Sequence, residues 1–384
     1  MVFETRSAAG AATAAPATTL RVAVVGTGLV GTSLGLALAQ QPGVEVVAGY
    51  DRDPAELATA VQRGAAGRAA ASAAEAVAGA DLVVLGVPVS ALEEVMAELR
   101  EVLQPGTIVT DVSSVKGRAV ALLEAAAPDG VHIIGGHPMA GSHETGAAHA
   151  SAELFVGATY LLTPTERTDA GAYQRLHGLI ARLGARVIAV APERHDLLVA
   201  VVSHLPQLAA TTLMNLAAER ARNEHAELLL LAAGGFRDAT RVAASNPDLW
   251  LDICRENRDA VVAVLDDYRE RIGALRSVLA TGDEGSLRRA LSDARDARKS
   301  LPGKETVTGA LIELVLPIPD RPGVLAEVTT TVGRIGVNIE DLGIEHAPEG
   351  GQGRLRLAVI GEVAADLARA ALEERGYEVV EATP

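Results

Sequence analysis

The 384-residue sequence predicts an α/β fold followed by a helical unit and a small α+β unit. From residue 20 to 191, short β-branched runs alternate with helical patterns, which is typical of a doubly wound parallel sheet. The pattern is helical almost throughout 192–300, and strands and helices alternate in a different order in 310–384. Residues 1–19 are predicted to be a disordered tail and 301–309 a linker.

The composition excludes several classes of function. A net charge of −15 without a basic run argues against nucleic acid and anionic membranes as partners. We find no run of 18 apolar residues, so no transmembrane helix is predicted. The single Cys254 rules out a disulfide framework and predicts a cytoplasmic protein. Because no Cys/His cluster has the spacing of zinc ligands, no metal site is expected.

A glycine motif follows the first predicted strand, Leu20–Val25, and precedes a helical pattern. In G-x-G-x-x-G the first glycine makes the turn, the second lets the backbone approach a pyrophosphate, and the third lets the helix pack on the strand. The helix N-terminus then offers free N–H groups to the phosphates. The predicted dinucleotide-binding residues of this turn are Gly26, Gly28, Leu29, Val30 and Gly31.

A carboxylate follows the second predicted strand, Val44–Tyr50. Asp51 lies where both ribose hydroxyls of a dinucleotide can be bound, and it would repel a 2′-phosphate. NAD is therefore favoured over NADP, although the neighbouring Arg52 can soften this preference. Val87 and Pro88 follow another strand and are included in this Rossmann-type cofactor site, although turn geometry alone would also explain them.

The stretch Gly135–Gly146, GGHPMAGSHETG, holds His137 on constrained backbone between a glycine pair and a proline. It follows the apolar run Val131–Ile134, so we expect His137 at the point where a parallel strand ends and a ligand-binding loop begins. The alternative is a tight loop whose histidine only caps a neighbour. A second polar turn, Asp111–Lys116, precedes a predicted helix. Its polar residues are explained equally well by a cap on the helix N-terminus and by contact with a ligand.

The first helix of the helical unit, His195–Ala218, is apolar nearly all round. Because no sheet covers such a helix, we expect it to bury this surface in a second copy of the chain, which predicts a homodimer. Pro206 interrupts the helix at a cost of about 3 kcal/mol unless it is compensated. Ser203, His204 and Gln207 lie beside this kink. Either these polar residues serve a functional site, or His204 is a buried histidine whose hydrogen bonds are satisfied within the protein.

Arg237 and Arg241 lie four residues apart on a later helix, and arginine binds carboxylates bidentately. Pairing with Asp238 is the commoner fate of such an arginine. The C-terminal unit has the βαββαβ order of a ferredoxin-like fold. Its predicted elements are strand Leu311–Pro317, helix Gly323–Ile335, strands Val337–Glu345 and Arg354–Ile360, helix Val363–Arg375 and strand Glu378–Val380.

Taken together, these features resemble the prephenate/arogenate dehydrogenase family with a C-terminal ACT domain. The resemblance runs from about Leu20 to Val380. It rests on GTGLVGTSLGLAL, GYDRD, GVPV, TDVSSVKG, GGHPMAGSHETG, VVSHLP, GGFRDATR and NPDLWLDICRENRD, and for the ACT domain on PDRPGVLAEVTTTVGRIGVNIEDL. It implies an NAD-dependent oxidative decarboxylation of prephenate to 4-hydroxyphenylpyruvate in tyrosine biosynthesis.

The resemblance also implies roles for individual residues. His137 would accept a hydrogen bond from the substrate hydroxyl, and Ser114 would contact both groups. Arg241 would hold a substrate carboxylate. The remaining residues implied to face the substrate are His143, Ser203, His204 and Gln207. Many members have a histidine where this chain has Gln207, and many have an acidic residue where it has His143 followed by Glu144. Both prephenate and arogenate therefore remain open as substrates.

The ACT resemblance implies an effector site for an aromatic amino acid, with a dimerisation module without a ligand as the alternative. The implied effector residues are Asp320, Arg321, Pro322, Gly323 and Asn338. Two other functions stay open. A β-hydroxyacid dehydrogenase would be expected to use a helix-borne lysine, and residues 193–280 contain none. A non-catalytic sensor that binds NAD is disfavoured by the set of His137, Ser114 and Arg241.

Overall fold

The structure, a computed structural model, describes residues 19–141, 144–300, 310–319, 321–345 and 353–381. The predicted linker, the predicted tail up to Thr18, His143 and Asp320 lie outside the described residues.

The first sheet has the predicted parallel strands. Its elements are β1 (Leu20–Val25), α1 (Leu29–Ala39), β2 (Val44–Tyr50), α2 (Pro54–Gln62), α3 (Ala73–Val77), β3 (Leu82–Leu85), α4 (Leu92–Leu99), β4 (Ile108–Asp111), α5 (Gly117–Ala126) and β5 (His132–Ile133). The strand order is β2-β1-β3-β4-β5, and each neighbouring pair is parallel. Strands β3 and β4 are buried at every residue, which explains their uninterrupted apolar and Thr/Asp sequence.

The chain order reverses at β1, because β2 lies on one side of β1 and β3 on the other. The turns that follow β1 and β3 consequently touch. A Cβ atom on Gly26, which has a φ of +92°, would lie 2.5 Å from the carbonyl carbon of Gly86. Ligands of open α/β sheets bind at such a switch point, outside the carboxyl ends of the strands. Asp51 directly follows β2 and Asp111 ends β4, both on this edge.

A second sheet of three strands adjoins the first. It comprises β6 (Gly135–Pro138), β7 (Thr159–Thr163) and β8 (Arg186–Ala189), with α6 (Ala170–Arg182) between the last two. Strand β6 is antiparallel to β7, while β7 and β8 are parallel. The expectation of one parallel sheet through all these strands was therefore wrong.

The glycine pair before His137 lets β6 approach its neighbours closely. A Cβ atom on Gly135 would lie 2.4 Å from Thr163 Oγ1, and one on Gly136 would lie 2.7 Å from the Asp111 carbonyl oxygen. Only glycines let β6 pass this close to β4 and β7. His137 pairs with Leu161 in the second sheet, so it lies within a strand and not in the loop we expected.

The helical unit begins with α7 (Pro192–Val199), a π-helical turn (Ala200–His204) and α8 (Leu205–Asn223). The wide turn lies directly before Pro206, which has no N–H to donate to the preceding turn of the helix. The unit continues with α9 (Gly234–Thr240), α10 (Pro247–Glu256), α11 (Arg258–Thr281) and α12 (Glu284–Lys299). Helix α10 ends at Glu256 and α11 begins at Arg258, so Asn257 lies between them.

The α7–α8 segment buries its polar side and exposes its apolar side. Leu197, Val201 and Val202 are exposed, the last by 66% of its surface, whereas His195 and His204 are buried. The described residues of a single chain therefore leave this apolar surface uncovered. By length and hydropathy alone, Pro192–Asn223 is also long and apolar enough to cross a membrane, although the sequence predicted no transmembrane helix.

The C-terminal unit has the predicted order. It comprises β9 (Leu311–Ile318), α13 (Val324–Arg334), β10 (Asp341–Glu345), β11 (Gly353–Ile360), α14 (Glu362–Glu373) and β12 (Val380–Glu381). The antiparallel sheet has the order β10-β11-β9-β12, so its first and third strands in the sequence form the central pair and its second and fourth lie at the edges, as in a ferredoxin-like fold.

This unit packs against the second sheet so closely that no side chain fits at one contact. A Cβ atom on Gly333 of α13 would lie 2.0 Å from the Ala189 carbonyl oxygen at the end of β8. His177 of α6 is 1% exposed, and neither of its ring nitrogens has a hydrogen-bond partner among the described residues. Burial lowers the pKa of His177 to about 4, against the opposing charge of Asp341.

We predict that His177 destabilises the protein in acid. The folded state holds this histidine neutral while the unfolded chain protonates it near pH 6.5, so folding loses stability as the pH falls from about 6.5 towards 4. At pH 5 the penalty is on the order of 2 kcal/mol. Thermal unfolding of wild type and His177→Leu between pH 7.5 and 4.5 measures it. The variant should gain melting temperature relative to wild type as the pH falls, and a constant difference would contradict the prediction.

Candidate active site

Three buried residues form a hydrogen-bonded chain that ends at His137. His137 is 7% exposed, and its Nδ1 lies 2.8 Å from Nε2 of His195, which is fully buried on α7. His195 Nδ1 lies 2.8 Å from Oδ1 of Asp196. Strand β6 and helix α7 belong to different units, so this chain of bonds joins the sheet region to the helical unit.

The Asp196 carboxylate also binds the start of α5. Its Oδ1 accepts the Lys116 N–H at 2.7 Å and its Oδ2 accepts the Gly117 N–H at 2.8 Å. The polar turn before α5 supplies no side-chain cap of its own, so the N-cap explanation of that turn was wrong. A Cβ atom on Gly117 would lie 2.9 Å from Oδ2, which explains the glycine at the first helical position.

Burial and hydrogen bonding determine the charges in this chain. Burial opposes ionisation of Asp196, but the bonds from His195 and the two backbone amides lower the pKa of its carboxyl below the ordinary value. Burial lowers the pKa of His195, and it lowers the pKa of His137 well below the usual 6.5, with the charges of His195, Lys116 and His204 acting in the same direction. Near neutral pH, Asp196 is therefore ionised and both imidazoles are neutral.

A buried ion pair supports the backbone beside His137. The Nζ of fully buried Lys116 contacts the Asp111 carboxylate and lies 2.8 Å from Ser113 Oγ. Asp111 Oδ1 accepts the N–H of Gly136 at 3.3 Å, which ties the end of β4 to β6. Burial lowers the pKa of Lys116, and the charge of Asp111 opposes this shift. Removal of either partner would leave an uncompensated buried charge, which is costly.

His204 lies in the π-helical turn beside the chain of bonds. Its Nδ1 is 3.3 Å from the side-chain nitrogen of Asn257, which also donates to the Asp196 carbonyl oxygen at 2.9 Å. Its ring packs edge-on against Trp250 at a centroid distance of 5.8 Å. Burial lowers the pKa of His204 to about 4, and its Nε2 has no hydrogen-bond partner among the described residues.

Several predicted substrate residues lack the contacts we expected. Ser114 forms no side-chain hydrogen bond with a described residue, and the ring bond of His137 goes to His195 instead. The Gln207 side chain is 5% exposed and the Ser203 side chain is half-buried. Arg241 is exposed at the start of a 3₁₀ turn after α9, and within the described chain it pairs with neither Asp238 nor another carboxylate. The roles of these four residues stay predictions.

The glycine turn after β1 fits a dinucleotide. Helix α1 starts after Gly28 with no acidic residue in its first turn and no side-chain cap, so its N–H groups are free to bind an anion. A Cβ atom on Gly31 would lie 1.9 Å from the Gly26 carbonyl oxygen, so the fold requires that glycine. A Cβ atom on Gly28 would meet no atom within 4 Å, so packing does not require a glycine there. Close approach of a pyrophosphate does explain it.

The other predicted cofactor residues lie along the same edge. Asp51 Oδ2 accepts the Thr27 N–H of the glycine turn at 2.6 Å, and Oδ1 accepts the Asp53 N–H at 2.9 Å. This half-buried carboxylate is thereby held beside the turn. Arg52 and Pro88 are exposed, and Val87 is half-buried. Leu29 and Val30 form the first turn of α1.

The predicted effector residues divide into two groups. Arg321, Pro322 and Gly323 line a cavity of about 550 Å³, which also borders the segments 164–166 and 191–193. Arg321 pairs with Glu327 of α13 at 2.8 Å. Asn338 does not line this cavity, and its side-chain oxygen is buried without a hydrogen-bond partner among the described residues.

Sequence reasoning missed His195, Asp196, Lys116 and Asn257 as residues of the site. A signal existed for the first two, because an adjacent histidine and aspartate open a helix that is otherwise apolar. Asn257 interrupts the helical pattern, and Lys116 follows Asp111 by five residues in a chain whose cations are nearly all arginine. None of these signals indicates which residue is the partner.

The comparisons with known proteins agree with this geometry. The model of the prephenate dehydrogenase nucleotide-binding domain matches residues 34–189, and that of the prephenate dehydrogenase dimerization domain matches 191–293. The exposed apolar side of α7–α8 thus lies in a dimerization domain. The matched residues end before the C-terminal unit, so they leave its predicted identity as an ACT domain untested.

Relatives match over most of the chain. The prephenate dehydrogenase of Bacillus subtilis is 32% identical over 343 residues, which covers 88% of this chain and 91% of the relative. The cyclohexadienyl dehydrogenase of Zymomonas mobilis is 32% identical and covers 73% and 95%, respectively. The structure of Aquifex aeolicus prephenate dehydrogenase in complex with hydroxyphenyl propionate and NAD+ is 29% identical, with a TM-score of 0.70 and coverage of 74% of this chain and 99% of that one.

The motifs, the geometry and these matches lead to one conclusion. This chain belongs to the prephenate dehydrogenase family.

Proposed function

We propose that this chain catalyses the NAD-dependent oxidative decarboxylation of prephenate to 4-hydroxyphenylpyruvate. The observation that carries the proposal is a neutral, buried His137 held at the edge of the sheet where the glycine turn fits a dinucleotide. The relatives named above support both the reaction and the cofactor.

His137 performs the proton chemistry of this reaction. NAD, when bound, accepts the hydride from the ring carbon that bears the hydroxyl, while the ring carboxylate leaves as carbon dioxide and the ring becomes aromatic. The hydroxyl oxygen becomes carbonyl-like as the hydride departs, so its proton becomes more acidic. A neutral imidazole can accept the hydrogen bond from this hydroxyl, whereas a protonated one cannot. The phenol product keeps its hydroxyl proton, so His137 returns to the oxygen any proton that it accepts during the reaction.

The buried groups beside His137 favour a keto-acid side chain over an amino-acid side chain. The histidine at 204 is neutral because burial lowers its pKa to about 4, and the amide of Gln207 carries no charge. The carboxylate of Asp196 already accepts three hydrogen bonds. None of these groups offers a free negative charge to an ammonium group. Arogenate is the second candidate substrate, because one relative is a cyclohexadienyl dehydrogenase.

We further propose a cytoplasmic homodimer with a regulatory C-terminal ACT domain. The exposed apolar side of α7–α8 supports the dimer, since it lies in the segment that matches a dimerization domain. The cavity beside Arg321–Gly323 supports an effector site for an aromatic amino acid, because its volume of about 550 Å³ is within the range of small-molecule pockets.

A rate comparison tests the proposed function. Formation of NADH or NADPH is followed with prephenate and with arogenate, each with NAD and with NADP, in the presence and absence of tyrosine or phenylalanine. We expect the highest kcat/KM with prephenate and NAD, and a changed rate with one of the amino acids. Absence of reduced cofactor with both substrates would contradict the dehydrogenase proposal, and an unchanged rate would contradict the effector site alone.

The pH profile tests the neutral histidine. Because burial holds the pKa of His137 well below 6.5, kcat/KM should stay level as the pH falls through 6.5 and decline only at lower pH, where the imidazole becomes protonated. His137→Asn should lower kcat by about 10²–10⁴-fold with little change in cofactor affinity. His132→Asn, on the preceding strand β5, is the control and should keep wild-type kcat. A decline centred at or above pH 6.5 would argue against the neutral form.

Two glycine substitutions separate cofactor binding from folding. Gly28→Ala places a methyl group where no protein atom lies within 4 Å, so the protein should fold normally and bind NAD more weakly, by at least about tenfold. Gly31→Ala places its methyl group 1.9 Å from the Gly26 carbonyl oxygen, so it should lower the melting temperature as well. Fluorescence titration with NAD and thermal unfolding measure the two effects. Unchanged NAD affinity in Gly28→Ala would exclude a close pyrophosphate.

A further inference from the structure

Only one arrangement of protons satisfies every member of the hydrogen-bonded chain that ends at His137. An ionised carboxylate can accept hydrogen bonds but cannot donate one. Asp196 accepts two backbone N–H groups at the start of α5, and its Oδ1 lies 2.8 Å from His195 Nδ1. This contact therefore requires a proton on His195 Nδ1.

The direction of the next bond follows. A neutral imidazole has one N–H group, so His195 with a proton on Nδ1 has a lone pair on Nε2. The atom 2.8 Å from that lone pair is Nδ1 of His137, which must donate. His137 is neutral as well, so its Nε2 carries the lone pair. No hydrogen bond among the described residues engages this nitrogen.

We propose that His195 and Asp196 are positioning residues that hold His137 in the tautomer able to accept the substrate hydroxyl's hydrogen bond, an inference that rests on the proposed function. In the opposite tautomer, His137 would present an N–H to the hydroxyl and could not accept its proton. The carboxylate sets the direction of the whole chain because it is the only member that cannot reverse its role.

The same chain stabilises charge as the hydride leaves. A hydroxyl proton shared with His137 Nε2 makes the imidazole partly positive, and this charge spreads through the Nδ1–H bond towards His195 and the ionised Asp196. The proton returns to the phenol oxygen when the product forms. None of the three residues therefore gains or loses a proton over a turnover, which matches a reaction that releases no net proton.

Two substitutions of His195 distinguish positioning from packing. In His195→Gln the amide oxygen can accept from His137 Nδ1–H while the amide nitrogen donates to Asp196, so the direction of the chain is retained. His195→Leu fills a similar volume and offers neither group. We expect the leucine variant to lose about 10²-fold or more in kcat and the glutamine variant to stay within about tenfold of wild type. KM for prephenate should change little in either variant.

A spectroscopic readout tests the tautomer without turnover. Long-range ¹H–¹⁵N spectra of protein labelled at its histidine nitrogens distinguish protonated from unprotonated ring nitrogens. The His137 signals are assigned by their loss in His137→Asn. In wild type and His195→Gln, Nδ1 of His137 should be protonated and Nε2 unprotonated, and His195→Leu should show a mixture. His177→Leu, at another buried histidine with no bond to the chain, is the control and should keep the kcat and the His137 signals of wild type.

The outcomes separate the two proposals. Equal losses of kcat in the leucine and glutamine variants would overturn the positioning role, as would a wild-type His137 protonated at Nε2. If His195→Leu does not fold, the wild-type and His195→Gln spectra still decide the question. Absence of wild-type activity on prephenate and arogenate, with the expected tautomer present, would overturn the proposed function and leave the tautomer assignment intact.

Discussion

The site depends on one buried negative charge, the carboxylate of Asp196. This group satisfies the first two N–H groups of α5 and orients His195, so it stabilises a helix of the sheet region and a side chain of the helical unit at once. A buried carboxylate is costly unless its hydrogen bonds are complete, and here every bond also fixes a neighbour. The relative placement of β6, α5 and α7 is thereby coupled to the orientation of the His137 ring.

Neutral imidazoles suit this environment. Burial disfavours their charged forms, so His137, His195 and His204 are neutral. Each neutral ring keeps one nitrogen that can accept a hydrogen bond. The positive charge of Lys116, which is paired with Asp111, also lowers the pKa of His137. The arrangement keeps His137 uncharged at neutral pH, which the proposed contact with a substrate hydroxyl requires.

The start of the α7–α8 segment differs from an ordinary surface helix. It buries the polar His195 and His204 and exposes the apolar Val201 and Val202. An exposed apolar surface of this kind indicates a further contact, and the match to a dimerization domain identifies its type. The proposed dimer contact and the candidate active site therefore lie on opposite sides of this segment, and the π-helical turn at 200–204 contributes to both.

Local patterns predicted much of the fold, since strand and helix periodicities, the glycine turn and Asp51 depend on neighbouring residues. The separate path of β6 could not be predicted, because the close approach of Gly135 to Thr163 exists only in three dimensions. The same limit applied to the site. His137 was predicted from its glycine-rich surroundings, whereas its partner His195 is 58 residues away and looked like part of an apolar helix. The structure supplied that pairing.

The central claim is that Nε2 of a neutral His137 accepts the hydroxyl of the substrate. A crystal structure of this protein with NAD and hydroxyphenyl propionate, the ligands of the Aquifex complex, tests it most directly. We expect the phenol oxygen within about 2.6–3.2 Å of His137 Nε2, with the His137–His195 bond preserved. A phenol oxygen bound elsewhere, with the His137 ring turned away from the ligand, would contradict the account.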